Sequence, residues 1–157
     1  HAKGMFYPMS ATRTADVTDG LSNTLLGSEL IVTPNNNGDT SACSYSGGAD
    51  YRGCYFNPVP GGTLFQTINP PNTSVGDYLW NACTTHPAGS SRPVAPCAAA
   101  CSDASGASQV VSARSYHPGG VNAVLADGSV RFVSNNVTPS TWLYLGGRND
   151  GQVPGDF

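Results

Sequence analysis

Lysine and glutamate each occur once in this chain of 157 residues, as Lys3 and Glu29. Charged residues make up 11% of the sequence, whereas an average soluble domain contains about 25%. Helices of globular proteins usually carry charged side chains on their solvent face, and this chain has too few of them for many such helices. The composition therefore favours a fold rich in strands and loops, with a surface of Ser, Thr, Asn and Gly.

Length and net charge limit the number of domains and the kinds of partner that this chain can have. A chain of 157 residues is long enough to bury a core and short enough to be one domain, so we treat residues 1–157 as a single domain. The net charge of −3 provides no basic field that would attract nucleic acid. No apolar run reaches the about 18 residues that cross a bilayer, and we expect no membrane contact within this segment.

The cysteines lie in a loop-rich insertion, residues 33–112, where clusters of Gly, Pro, Asn and Ser predict many turns. They form no C-x-x-C pair, which argues against zinc-ribbon and thioredoxin-type sites. Cysteines among such loops are typical of proteins in an oxidising compartment, so we predict an extracellular or cell-surface protein. The candidate disulfide residues are Cys43, Cys54, Cys83, Cys97 and Cys101.

At least two disulfides are expected, with one cysteine left over because five is an odd number. Cys43 and Cys54 enclose a short turn-rich stretch and are candidates for one bridge. Cys83 could pair with Cys97 or with Cys101. A direct bridge between Cys97 and Cys101 is also open, because the three alanines between them favour one helical turn, and such a turn would bring their Cα atoms within about 7 Å.

A β-hairpin is predicted where Asp127 and Gly128 separate two apolar runs. Asp-Gly at such a position favours a two-residue type I′ turn, in which both residues have positive φ. In that register Leu125 faces Val130. The core face of the hairpin then consists of Val121, Ala123, Leu125, Val130 and Phe132.

Two further elements flank this hairpin. Before it, residues 117–120 read His-Pro-Gly-Gly, with Pro and Gly at the positions that a type II turn favours. After it, Thr138 and Pro139 are typical of a helix N-terminus, and Gly146 of a helix end. We therefore predict a short helix that docks Trp142 on the sheet. The whole pattern predicts an α+β fold, mostly β: an antiparallel sheet with long irregular loops and short helices.

Near the front of the chain, residues 24–32 read as a buried strand that contains Glu29. An unpaired carboxylate among aliphatic neighbours would be costly. We therefore expect Glu29 to be substantially buried and hydrogen-bonded, with Arg114, Arg131 or His117 as its partner.

Two motifs resemble those of a pilin-like family of unknown function that is abundant in planctomycete-type bacteria and carries a prepilin-type N-terminus. The first runs from residue 19 to residue 29. In the second, a histidine is followed, after nine residues, by Asp-Gly. A tryptophan in the tail also resembles the family. The matching residues are Asp19, Gly20, Asn23, Glu29, His117, Gly119, Gly120, Asp127, Gly128 and Trp142.

The resemblance implies a secreted or surface protein with a fold like a pilin or pseudopilin head. Members of the family begin with a processed leader and a long apolar helix, and such a helix would precede His1 or be removed from the mature head. The resemblance supplies no established catalytic activity that could be assigned to this chain.

Catalytic and metal sites have weak support in the sequence. His117, Asp127 and Glu29 could act together in a hydrolase, but turn chemistry accounts for the Asp-Gly pair, and no G-x-S-x-G elbow or H-E-x-x-H helix occurs. We predict no catalytic residue, no metal ligand and no cofactor. Calcium is the one ion kept open, because residues 35–39 and 149–151 offer oxygen ligands on loops.

The favoured function is therefore a non-catalytic structural subunit of the cell surface, assembling with copies of itself or with related pilin-like subunits into a filament or surface layer. The alternative is a secreted polysaccharide-binding module, because aromatic residues that could stack on sugars recur in the loop-rich insertion. A hydrolase is the least favoured. These aromatic residues are Tyr45, Tyr51, Tyr55, Phe56, Tyr78 and Trp80.

Overall fold

The computed structural model describes residues 4–7, 9–32, 52–53, 62–80, 95–101 and 109–157; for residues 80 and 97–101 it describes the backbone alone. Short 3-10 turns at Thr14–Asp16 and Leu21–Asn23 come first. The strands and the helix of this part of the chain are β1 (Leu25–Ser28), β2 (Asp77–Trp80), β3 (Cys97–Cys101), β4 (Gly120–Leu125), β5 (Val130–Ser134) and α1 (Pro139–Leu145). The fold is α+β and mostly β, as predicted. Among the described residues, no helix is long and apolar enough to span a bilayer.

The main sheet has the order β1-β4-β5, with antiparallel neighbours throughout, and β2 and β3 form a separate parallel pair. One face of the main sheet and the helix α1 enclose the core, in which Trp142 is fully buried. The predicted docking of this tryptophan is thus confirmed. The other buried members of the core are Leu25, Ala113, Val121, Ala123, Leu125, Val133, Val137 and Leu145.

The predicted hairpin is present, but its turn and its register differ from the prediction. The N–H of Gly128 donates to the carbonyl of Leu125 (2.9 Å), and the N–H of Leu125 donates to the carbonyl of Ser129 (2.9 Å). Gly128 has a φ of +87°, whereas Asp127 is not among the described residues with positive φ. The loop therefore has three residues with a left-handed glycine at its third position, which is a G1-bulge hairpin and not a type I′ turn.

The longer loop shifts the pairing by one residue, so that Val124 pairs with Val130 and Asn122 with Phe132. A shift of one residue turns every side chain of a strand to the opposite face. Val133 is consequently buried, whereas Val130 is 66% exposed and Phe132 51% exposed. The predicted core face is correct for β4 and wrong for β5.

The helix α1 begins and ends as predicted. The hydroxyl of Thr138 accepts a hydrogen bond from the N–H of Thr141 (3.4 Å), Pro139 is the first helical residue, and Gly146 follows the last one. The front strand is shorter than predicted, because β1 ends at Ser28 and contains an irregularity between Leu25 and Gly27.

The residues between Cys97 and Cys101 form a strand, not the helical turn that the alanines indicated. Alanine is a strong helix former in isolation, but here the segment pairs with β2. A strand of this length separates the Cα atoms of its ends by about 13 Å, well beyond the about 7 Å that a disulfide allows. A direct Cys97–Cys101 bridge is therefore excluded. Cys43, Cys54 and Cys83 lie outside the described residues, so their predicted bridges stay predictions.

Candidate functional site

Glu29 follows the last residue of β1 and links two parts of the second motif. One carboxylate oxygen lies 3.0 Å from Nε2 of His117, and the other accepts the backbone N–H of Asn122 at 2.7 Å. The partner predicted for Glu29 is confirmed as His117. The predicted burial is wrong, because the Glu29 side chain is 33% exposed, at the end of the strand and not within it.

His117 is held by the turn that precedes β4. The backbone N–H of His117 donates to the hydroxyl of Ser115 (3.1 Å), and that hydroxyl donates to the carbonyl of Gly120 (2.7 Å). Gly119 has a φ of +86°, and a Cβ on Gly120 would collide with the carbonyl of Val133. The two glycines therefore allow the chain to reverse and to enter the sheet with the imidazole beside Glu29.

The imidazole also borders the apolar outer face of the sheet. Its ring lies edge-on to the ring of Phe132, with 6.4 Å between the centroids, and the His117 side chain is 51% exposed. Glu29 and His117 thus form a partly exposed side-chain pair at the rim of the sheet. Such a pair can join two segments of chain that are far apart in sequence.

Asp127 lies apart from this pair, in the loop at the other end of β4. The length of that strand separates the two places by about 17 Å. The Asp127 carboxylate accepts hydrogen bonds from the N–H (2.9 Å) and the hydroxyl (2.7 Å) of Ser129, and these bonds hold the pKa of Asp127 below its usual value. The three residues considered for a hydrolase are therefore not brought together.

The residues of the first motif fasten the tail of the chain. The Asp19 carboxylate accepts the N–H groups of Asp150 (2.7 Å) and Gly151 (3.0 Å). Asn23 donates its side-chain amide to the carbonyl of Asp19 (3.2 Å), and Gly20 between them has a φ of +100°. Asp19 thus acts as a clamp between the front and the end of the chain.

The loop considered for calcium at residues 149–151 is part of this clamp. Its N–H groups face the Asp19 carboxylate, and the Asp150 carboxylate accepts the N–H of Gln152 (2.9 Å). The second calcium candidate, residues 35–39, lies outside the described residues. Among the residues that the structure describes, no cluster of three or more His, Cys, Asp or Glu side chains could hold a metal ion.

A buried ionic cluster that the sequence motifs did not predict joins β2 to the chain before β4. Arg114 donates two hydrogen bonds to the Asp77 carboxylate, from Nη2 to Oδ1 (2.9 Å) and from Nε to Oδ2 (3.0 Å). Oδ2 also accepts a hydrogen bond from Nη1 of Arg52 (2.8 Å). All three side chains are at most 2% exposed. The available signal was Arg114 itself, a charged residue directly after the apolar residues Val110, Val111 and Ala113.

The guanidinium of Arg114 also reaches the backbone. It donates to the carbonyls of Thr73 (2.7 Å) and Val75 (2.8 Å), while the N–H of Arg114 donates to the carbonyl of Glu29 (2.9 Å). Arg114 thus connects the turn before β2 with the end of β1.

A wide apolar groove runs along β1. Its volume is about 1120 Å³, and it lies between the first described residues, β1, the segment 63–68 and the helix α1. Several of its apolar side chains are unusually accessible: Met9 is fully exposed, Phe6 is 58% exposed and Leu143 is 48% exposed. Other lining residues are Tyr7, Leu26, Leu64, Phe65 and Tyr144.

Of the aromatic residues considered for sugar binding, the structure describes the side chain of Tyr78 alone, which is 42% exposed. Tyr45, Tyr51, Tyr55 and Phe56 lie outside the described residues, and of Trp80 only the backbone is described. The polysaccharide alternative therefore stays a prediction.

Comparison with known proteins places the chain in a family. No curated protein and no solved structure matches it. A family model described as "Protein of unknown function (DUF1559)" matches residues 1–140, a stretch that includes both sequence motifs, all strands described above and the start of α1. The chain therefore belongs to this family of unknown function, DUF1559.

Proposed function

We propose that the protein is a non-catalytic, pilin-like structural subunit of the cell surface, and that its apolar groove holds an apolar helix of the same polypeptide. The groove is the observation that carries the proposal. Accessible Phe, Met and Leu side chains together with a large open volume are typical of a surface that another apolar element covers.

The dimensions of the groove fit that occupant. Two turns of an α-helix, about 11 Å long and about 10 Å across, occupy about 850 Å³, less than the volume of about 1120 Å³ that the groove provides. Gly4, Met5 and Phe6 line the groove. A helix that precedes these residues in sequence would therefore reach the groove with its C-terminal end, without a long connection.

The chemistry of the motif residues supports a structural role. Glu29, His117 and Asp127 all make hydrogen bonds that fix turns or strand ends, and Asp19 fastens the tail. Each residue that the family resemblance singled out thus has a place in maintaining the head, and none of them requires a substrate to explain it.

The test compares two variants of the protein produced in its natural host. Leu143→Asp places a charge in the groove, and Ser140→Asp places one on an exposed part of the same helix outside it. We expect negative-stain microscopy to show filaments or layers for the natural protein and for Ser140→Asp, and to show none for Leu143→Asp, although circular dichroism finds both variants folded.

A native protein that stays monomeric and is retained by one class of glycan on an array would contradict the proposal and support the polysaccharide-binding alternative. Assembly of Leu143→Asp at the natural level would show that the groove has no part in it.

A further inference from the structure

Among the residues that the structure describes, the strand β5 forms one edge of the main sheet, on the side opposite to the groove. Hydrogen bonds join Leu125 to Ser129 and Gly119 to Asn135 at the two ends of the hairpin. Hydrogen-bonded pairs recur at every second residue, so residues 131 and 133 of β5, which lie opposite Ala123 and Val121, direct their N–H and C=O groups toward β4. In an antiparallel ladder the residues between such pairs turn their N–H and C=O groups to the other side. Val130 and Phe132 therefore present both groups to this edge, and Ser134 presents its N–H, while the carbonyl of Ser134 also accepts the N–H of Val137 (3.1 Å).

The side chains at this edge are unusual for an exposed strand. Natural edge strands are commonly protected by lysine, proline, a bulge or a covering loop. Here Val130 is 66% exposed and Phe132 51% exposed, and neither is charged. The one charge of the strand, Arg131, has its guanidinium carbon 4.9 Å from the centre of the Phe157 ring, so this charge is engaged with an aromatic ring of the same chain.

We infer that β5 pairs with β5 of a second copy of this chain, antiparallel and centred on Phe132. Outward N–H and C=O groups in alternation are the groups with which an added strand pairs, and the sequence of β5 is complementary to itself in this register. Phe132 meets its own equivalent, and Val130 meets Ser134 of the copy. Arg131 comes opposite Val133, so no like charges face each other directly.

The symmetry of this contact limits it to two copies. An isologous two-fold contact uses the same surface on both chains and closes on itself. The product is a continuous six-stranded sheet in which both β5 edges are paired. The inference does not depend on the occupant of the groove, because the groove lies at β1, the opposite edge of the sheet.

The test uses two charged variants, Phe132→Lys and Phe132→Glu, and sedimentation velocity over a range of protein concentrations. We expect the natural chain to form dimers, and each variant alone to dimerise at least tenfold more weakly, because like charges would lie directly opposite at the two-fold axis. An equimolar mixture of the two variants should dimerise again. Leu143→Lys, which is at the groove, should dimerise like the natural chain.

Hydrogen exchange provides a second measurement that needs no variant. With increasing concentration of the natural chain, the amide of Phe132 should become protected, while the amides of Arg131 and Val133, which face β4, should not change. A natural chain that remains monomeric at all concentrations, single variants that dimerise normally, or a mixture that fails to dimerise would each overturn the inference. None of these results bears on the groove, which the Leu143 variant tests separately.

Discussion

The Asp77 carboxylate lies between the two arginines of the buried ionic cluster. It accepts hydrogen bonds from two guanidinium groups and from the N–H of Ser112, and Asp77 is 1% exposed. Removal of one member of a buried ionic cluster leaves the other charges poorly compensated, which typically costs about 3–5 kcal/mol.

We therefore expect Asp77→Asn to lower the free energy of unfolding by about 3–5 kcal/mol in urea titrations. The control is Asp16→Asn, which breaks the exposed pair with Arg13 and should have no measurable effect, because exposed pairs contribute little. Equal stability of Asp77→Asn and the natural protein would show that the cluster contributes nothing.

The contribution of Asp127 to the stability of the fold should depend on pH. Hydrogen bonds from Ser129 lower its pKa in the folded protein, so its contribution to stability is present above the unfolded pKa of about 3.9 and is lost as the pH falls through the folded pKa. Asp127→Asn keeps the side-chain oxygen and removes this titration. The stability difference between the two proteins should shrink below about pH 4, as measured by thermal unfolding; a constant difference down to pH 2 would contradict the assignment.

At the scale of elements, the hairpin shows what sequence patterns can and cannot specify. The Asp-Gly pair correctly predicted a hairpin and the inward face of β4. The loop has three residues, in which the N–H and the hydroxyl of Ser129 hold the Asp127 side chain and Asp127 does not adopt positive φ. The length of the loop decides the faces of β5, and no periodicity in the sequence reveals it.

Like the hairpin, the side-chain contacts between distant segments were predictable only in part. Glu29 required a partner because of its aliphatic neighbours, and His117 was among the candidates. The cluster around Asp77 was not predictable, because Arg52 and Arg114 reach it from segments that are 25 and 37 residues away in sequence. The strand at Cys97 was missed for a related reason, since its pairing with β2 overrides the helix propensity of its alanines.

Substitutions of Gly128 test whether the loop of the hairpin needs a residue with positive φ at this position. A Cβ at this position would have no neighbour within 4 Å, so a substitution acts through the backbone alone. With a φ of +87°, Gly128→Val should lower the free energy of unfolding by about 1–3 kcal/mol. Gly128→Asn should cost less, because Asn tolerates this conformation. Urea titrations of both variants measure the effect, and equal losses for Val and Asn would contradict it.

At the scale of the whole molecule, the extended form of β3 constrains how the chain can be cross-linked. Cys97 and Cys101 are too far apart to bond to each other, so any disulfide of either residue must join β3 to another part of this chain or to another chain. We expect mass spectrometry of unreduced proteolytic peptides to find at least two disulfides and none between these two residues. Five free thiols would contradict the prediction and the extracellular assignment with it.

The clamp formed by Asp19 has a consequence for how the fold can vary. The front of the chain contacts its end through Asp19 and the residues 150–151, and β1 pairs with β4 across almost a hundred residues. The entropy of closing a loop rises slowly with its length, by about 0.6 kcal/mol for each doubling. A fold in which residue 19 contacts residues 150–151 can therefore accept insertions or deletions between these positions at little thermodynamic cost, so that new surface features can arise in the middle of the chain while the sheet stays unchanged.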